Sequence, residues 1–217
     1  MACVSGVTRV SSRLTDPDLG ARANVPRGGI LKALSTELPG VIVIEPAIHG
    51  DARGWFQETY RASVFADLGI TDHFVQDNQS RSAAAVLRGM HFQVTDPQAK
   101  LIRCARGAIL DVVVDIRRGS PTYGRWEAWQ LDDERGLQLY CPVGFAHGFL
   151  VLSEVADVVY RCSAYYDPEG DMSIAFDDPA IGIVWPGGPH SVSDRDRQAP
   201  LLADVADALP YAWDGAP

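Results

Sequence analysis

The string VLRGMHFQ sets Arg88, Gly89, His91 and Gln93 close together, and Lys100 follows at the head of KLIRCAR. A histidine beside fixed cations suits removal of a proton from a carbon next to a carbonyl, because imidazole takes the proton and the cations stabilise the enolate oxygen. That chemistry requires the side chains to share a face. Strict strand alternation puts Arg88 and His91 on opposite faces; a bulge at Gly89 brings them to one side, and glycine inside a strand pattern often marks a bulge. A second histidine, His147, follows Pro142 and Gly144 in PVGFAHGF.

The elements that would position these residues are short and β-rich. VIVIE, WFQETY, HFVQDN, VLRGMHFQ, KLIRCA, ILDVVVDI, WEAWQL, LQLYCP, GFLVLS and DVVYRCSAYY succeed one another with Gly, Pro, Asp or Ser between most of them, the rhythm of an all-β sandwich or barrel. Helical signals are few and peripheral: Arg61 to Leu68, stopped by Gly69, and Ala199 to Leu209, with Leu201, Leu202, Val205 and Leu209 on one face. Residues 1–38 lack periodicity and read as an N-terminal extension; 39–217 read as one folded domain.

The 217 residues carry 19 Lys plus Arg against 28 Asp plus Glu, a net charge of -9, which argues against a nucleic-acid partner. The apolar fraction of 47% is ordinary for a domain that buries a core. No apolar run is long enough to span a membrane and the first residues lack a signal-type core, so a cytoplasmic location is expected. Cys3, Cys104, Cys141 and Cys162 lie far apart, without metal-type pairs or an expected disulfide. Neither a Walker loop nor a strand-following G-x-G-x-x-G is present, so any phosphate must be held by side chains.

The segments around His91 and His147 resemble the paired motifs of the cupin jelly roll. In the metal-binding form of the first motif a second histidine would stand at Gln93 and a glutamate at Lys100. An ammonium there would repel a divalent cation, so no metal is expected. Beyond the fold, the sequence closely resembles the dTDP-4-dehydrorhamnose 3,5-epimerase family over Leu38 to Leu202. The strings GDARGWFQETY, FVQDNQSRS, VLRGMHFQ, QAKLIRCARGAILDVVVDIRRGSPTYG, PVGFAHGFLVLSE, YRCSAYYDPEG, DDPAIGIVWP and SDRDRQAPLL carry it.

The resemblance implies cofactor-independent epimerisation at C3 and C5 of dTDP-4-keto-6-deoxyglucose. It implies His91 as general base, Asp196 as its dyad partner, Tyr160 as proton donor on the opposite face of the sugar, and Lys100 and Arg88 as enolate-stabilising groups. For substrate binding it implies Arg53, Glu58, Gln76, Asp77, Asn78, His147, Tyr166, Asp171 and Arg195, and it implies a homodimer in which an edge strand or the region near Trp55 crosses to the partner. His49, Asp171 in place of a more usual Glu, and the long N-terminal extension depart from the family's pattern.

Without the resemblance, Tyr160 reads as a core tyrosine and Asp196 as a polar turn or helix cap. Arg53 with Glu58 reads as an exposed ion pair of little energetic weight. Three alternatives stay open: an epimerase acting at C3 or C5 alone, a non-catalytic nucleotide-sugar-binding cupin, and a metal-dependent cupin oxygenase or isomerase. Gln93 and Lys100 argue against the last.

Overall fold

The computed structural model describes residues 31–215. Two sheets face each other. The first contains β1 (Lys32–Leu34), β2 (Ile42–Glu45), β5 (Gln76–Ala83), β7 (Lys100–Arg106), β10 (Gln138–Cys141) and β12 (Val155–Cys162), in the spatial order β1-β2-β10-β7-β12-β5. In the second, β6 (Val86–Gln93), β8 (Ala108–Asp115), β9 (Trp126–Asp132), β11 (Phe145–Val151) and β13 (Asp171–Ser173) run in the order β13-β6-β11-β8-β9. The two-residue β14 (Ser191–Val192) joins β6 in parallel; β3 (Ile48–Asp51) and β4 (Gly54–Gln57) form a separate hairpin. This is the expected all-β jelly roll.

The alternation of side chains explains the layering. Ile109 and Val113 of β8 point between the sheets with Val43, Ile102, Leu139, Val158 and Phe149, all buried. Leu110, Val112 and Val114 of the same strand point outward, where Ile174, Ile181, Leu202, Leu209 and Tyr211 of the C-terminal segment cover them. Because both its faces are covered, ILDVVVDI is apolar nearly throughout. The helix α1 (Ala62–Asp67) buries Phe65 on the outer face of the first sheet, against Ile44, Leu101 and Tyr140. Among the described residues no helix is long and apolar enough to cross a membrane.

Two boundaries differ from the sequence reading. Ordered chain begins before residue 39: β1 pairs with β2, and Leu38 is buried. A strand of three residues has too little pattern to be read alone, and β2 supplies the template that makes it one. The expected helix from Ala199 to Leu209 is broken into α3 (Leu202–Val205) and a 3-10 turn (Ala206–Ala208), since Leu201 is extended and the Leu202 amide donates to the Asp178 carboxylate. Residues 1–30, most of the expected extension, and Cys3 lie outside the described residues; Cys104, Cys141 and Cys162 are free and buried.

The bulge expected at Gly89 is present. His91 faces His147 and Arg88 faces Phe149 across the β6–β11 ladder, so three steps on β6 match two on β11. Gly89 has φ +125, and a Cβ there would lie 2.5 Å from Gly148 Cα. Gly89→Ala is therefore expected to destabilise the protein by about 2–4 kcal/mol, the sum of left-handed strain and overpacking against backbone. Urea unfolding checks this, and a variant as stable as the wild type would contradict it.

Candidate active site

The register across each sheet shows which side chains meet. On the first sheet Cys141, Lys100, Cys162 and Gln76 form one cross-strand row, and Leu139, Ile102, Tyr160 and Asn78 the next. The row beyond, with Cys104, Val158 and Ser80, is largely apolar. The inner face thus changes from polar to apolar along the strands, which places a hydrophilic cleft at one end of a dry core. Gln76, Asn78, Lys100 and Tyr160 from the first sheet, and His91 and Gln93 from the second, line this cleft of about 360 Å³ with Gln98, Tyr166 and Asp171.

His91 Nε2 lies 2.6 Å from Asp196 Oδ1. Asp196 is 3% exposed and sits in α2 (Asp194–Arg197); its backbone amide donates to Ser193 Oγ at 3.1 Å, and its Oδ2 accepts from the Gly89 amide at 3.4 Å. Burial pushes its carboxyl up, but the bond and charge of His91, with Gly89 and Ser193, outweigh burial and hold it below the usual carboxylate value. A carboxylate accepting from Nε2–H fixes the tautomer and leaves Nδ1 as the basic nitrogen.

A carboxyl held low stabilises the fold above its unfolded pKa, and that contribution is lost as the pH falls through the lower folded value. The stability gap between wild type and Asp196→Asn should therefore be full at neutral pH and shrink below about pH 4. Urea titrations at both pH values read it; a gap independent of pH would contradict the charge pairing.

Tyr160 stands on the sheet opposite His91, with its phenol pKa raised chiefly by burial, reinforced by Cys162 and Asp171 and opposed by Arg88 and Asn78. The phenol therefore keeps its proton at neutral pH. Lys100 lies in register between Cys141 and Cys162. Burial pushes the Cys141 thiol up to about 12 and raises that of Cys162, so neither supplies Lys100 with a counter-charge. Arg88 is exposed beside the cleft, and its Nε donates to Ser82 Oγ at 3.1 Å, tying the second sheet to β5 of the first. Ser82 was not singled out from sequence; the S-x-S of QDNQSRSA, two inward hydroxyls on one strand, was its signal.

At the cleft mouth Tyr166 OH donates to Asp171 Oδ2 at 3.1 Å, and Arg195 Nη1 donates to the same oxygen at 2.6 Å. The Arg195 guanidinium pKa is raised mainly by that bond. The remaining expected site residues are not in the cleft lining. Asp77 points to the outer face, 3.3 Å from Arg161, as alternation along β5 requires of a residue between Gln76 and Asn78. His147 is buried and paired at 2.9 Å with Asp111, a partner the sequence reading missed. Arg53 pairs with Asp51 and Glu58 with Arg61, each at 2.6 Å; Asp51, Arg53 and Arg61 are exposed and Glu58 is half-buried, in or beside the β3–β4 hairpin and next to exposed Trp55 and Phe56.

The donor set does not suit a divalent cation. The Gln93 amide is engaged with backbone groups of Asp96, Tyr165 and Asp167, Lys100 is an ammonium, and His91 Nε2 is taken by Asp196. Among the described residues no three His, Cys, Asp or Glu converge as a metal site. The arrangement instead offers a base and a neutral acid on opposite walls, with cations nearby, which is suited to moving protons at carbon.

Known proteins have the same build. The family model described as dTDP-4-dehydrorhamnose 3,5-epimerase matches residues 35–204. A dTDP-4-dehydrorhamnose 3,5-epimerase of Methanothermobacter thermautotrophicus is 50% identical over 167 residues, 76% of this chain and 90% of that protein. The crystal structure of dTDP-6-deoxy-D-glucose-3,5-epimerase from Legionella pneumophila, in complex with dTDP-4-keto-L-rhamnose, superposes with a TM-score of 0.83 at 45% identity, covering 85% of this chain and all of that one. That of NovW from Streptomyces spheroides, a 4-keto-6-deoxy sugar epimerase, gives 0.82 at 40% identity, covering 87% and 97%. With a cupin jelly roll, the His91–Asp196 pair facing Tyr160, and these matches across most of its length, the chain belongs to the dTDP-4-dehydrorhamnose 3,5-epimerase family.

Proposed function

We propose that the protein epimerises C3 and C5 of dTDP-4-keto-6-deoxyglucose, giving dTDP-4-keto-L-rhamnose without a cofactor. The observation that carries this reading is the placement of the Asp196-held His91 and the neutral Tyr160 on facing sheets of one cleft. His91 Nδ1 takes the proton from the carbon beside the C4 carbonyl, and the C–H electron pair moves onto the carbonyl oxygen as an enolate. The Lys100 ammonium and Arg88 stabilise that charge. The enolate collapses as Tyr160 delivers its proton to the opposite face, which inverts the centre; solvent then recharges Tyr160 and discharges His91. Both C3 and C5 flank the same carbonyl, so one base serves both positions when the ring turns over.

Arg195, Tyr166, Asp171, Gln76 and Asn78 are the groups proposed to hold the nucleotide end, and His147, in register with His91 and paired with Asp111, is proposed to support His91 from behind. Arg suits diphosphate through its two-pronged donor geometry. Arg53 and Glu58 are proposed to act in a homodimer, in which the β3–β4 hairpin and its exposed Trp55 and Phe56 reach the partner's cleft. Light scattering at micromolar concentration tests this, and a monomer would overturn it. A cytoplasmic setting accords with three buried free thiols.

The reaction is tested by product identity. Borohydride reduction of the incubated nucleotide sugar followed by acid release should yield L-rhamnose and its C4 epimer. A sugar inverted at only one centre would replace the reading with a single-position epimerase, and unchanged configuration would refute it.

A further inference from the structure

After β12 the chain crosses the cleft mouth through residues 164–167, where it has no strand partner. Its backbone polar groups are met by three glutamine side chains. Gln98 Nε2 donates to the Ala164 carbonyl at 2.9 Å, and Gln93 Nε2 donates to the Tyr165 carbonyl at 3.0 Å. Gln76 Oε1 accepts from the Tyr166 amide at 3.0 Å, and Gln93 Oε1 accepts from the Asp167 amide at 2.9 Å. Four successive residues are thus each held by a carboxamide, one from each sheet and one from the segment before β7. Gln93 is 4% exposed and is itself anchored, its Nε2 donating to the Asp96 carbonyl at 2.7 Å and its main-chain carbonyl accepting from Tyr211 OH.

The ladders of β5, β6 and β12 are complete without these bonds. What the glutamines fix is the position of Tyr165 and Tyr166, residues that are 67% and 54% exposed. An aromatic pair on an irregular segment would otherwise lose conformational freedom on binding, at a cost to affinity; a pair already held loses little. We propose that Gln76, Gln93 and Gln98 form a clamp that pre-organises the Tyr165–Tyr166 rim to receive the planar base of the nucleotide, with Gln93 and Gln98 as positioning residues. The position that a metal-binding cupin gives to a second histidine is here given to the clamp. The inference rests on the nucleotide-sugar reading above, and because the clamp bonds to the rim and not to the reacting carbons, its effect belongs in binding.

The test uses Gln93→Met and Gln98→Met, near-isosteric changes that remove the amide. Expected for both is a rise of about five- to tenfold in the calorimetric Kd for dTDP and in KM, with kcat and its pH profile within about twofold of wild type. Gln93→Met should also abolish hydrogen-exchange protection of the Asp167 amide. If Gln93→Met does not fold, the half-buried Gln98→Met carries the test alone. Wild-type affinity for dTDP in the variants, or a kcat that falls in step with affinity, would overturn the clamp. A wild-type protein that binds no dTDP would instead overturn the nucleotide-sugar reading, and the assignment of the rim with it.

Discussion

His91→Asn is expected to lower kcat by a factor of about 10³–10⁴ while leaving KM within about twofold. Asparagine is smaller and its amide ends near the Nδ1 position, short of the Nε2 that bonds Asp196, so the Asp196 carboxylate, 3% exposed, keeps the Gly89 amide as its donor. What disappears is the basic nitrogen. Steady-state kinetics separates the two effects: a loss confined to kcat assigns His91 to proton removal, whereas a large rise in KM with unchanged kcat would make it a binding residue. Asp196→Asn should follow with a smaller loss of about 10²–10³ in kcat, because an amide in that place no longer enforces the Nε2–H tautomer.

Tyr160→Phe is expected to lower net epimerisation by about 10²–10³ and to leave proton removal by His91 in place. The phenol pKa is raised mainly by burial, so the wild-type group keeps its proton at neutral pH, and phenylalanine preserves its packing against the core beside Ile102 while removing that proton. The enolate would then form and be reprotonated from the side it left. Washout of substrate hydrogen that outpaces product formation is the signature. Loss of washout and epimerisation together would mean that Tyr160 takes part in the first proton transfer.

Much of this site can be read from the sequence where a local pattern has a local cause. Gly89 between Arg88 and His91 signals a bulge because an ordinary alternation would separate two groups that chemistry wants together, and the close approach of Gly148 is what a side chain at Gly89 would prevent. The apolar run ILDVVVDI follows from β8 having a covered face on each side. Lys100 at a glutamate position signals a change of chemistry by its charge alone.

Other parts depend on partners distant in the chain. Asp196 meets His91 across 105 residues, and SDRDRQ alone reads as a polar turn; only the resemblance pointed to it. β13 and β14 are too short for periodicity and exist because β6 offers them an edge. Asp77 shared a binding string with Gln76 and Asn78, yet alternation turns it outward to Arg161. Gln93 read as a lost metal ligand, and its bonds to Tyr165 and Asp167 appear only once residues far along the chain are folded back over the cleft.

The central claim is that one histidine removes protons from both carbons beside the carbonyl. The direct measurement is incubation of the protein with dTDP-4-keto-6-deoxyglucose in deuterated water, following deuterium at C3 and C5 by NMR, in parallel with His91→Asn. The account predicts incorporation at both carbons by the wild type and at neither by the variant. Incorporation that persists in His91→Asn, or that is absent from the wild type although the nucleotide sugar binds, would contradict it.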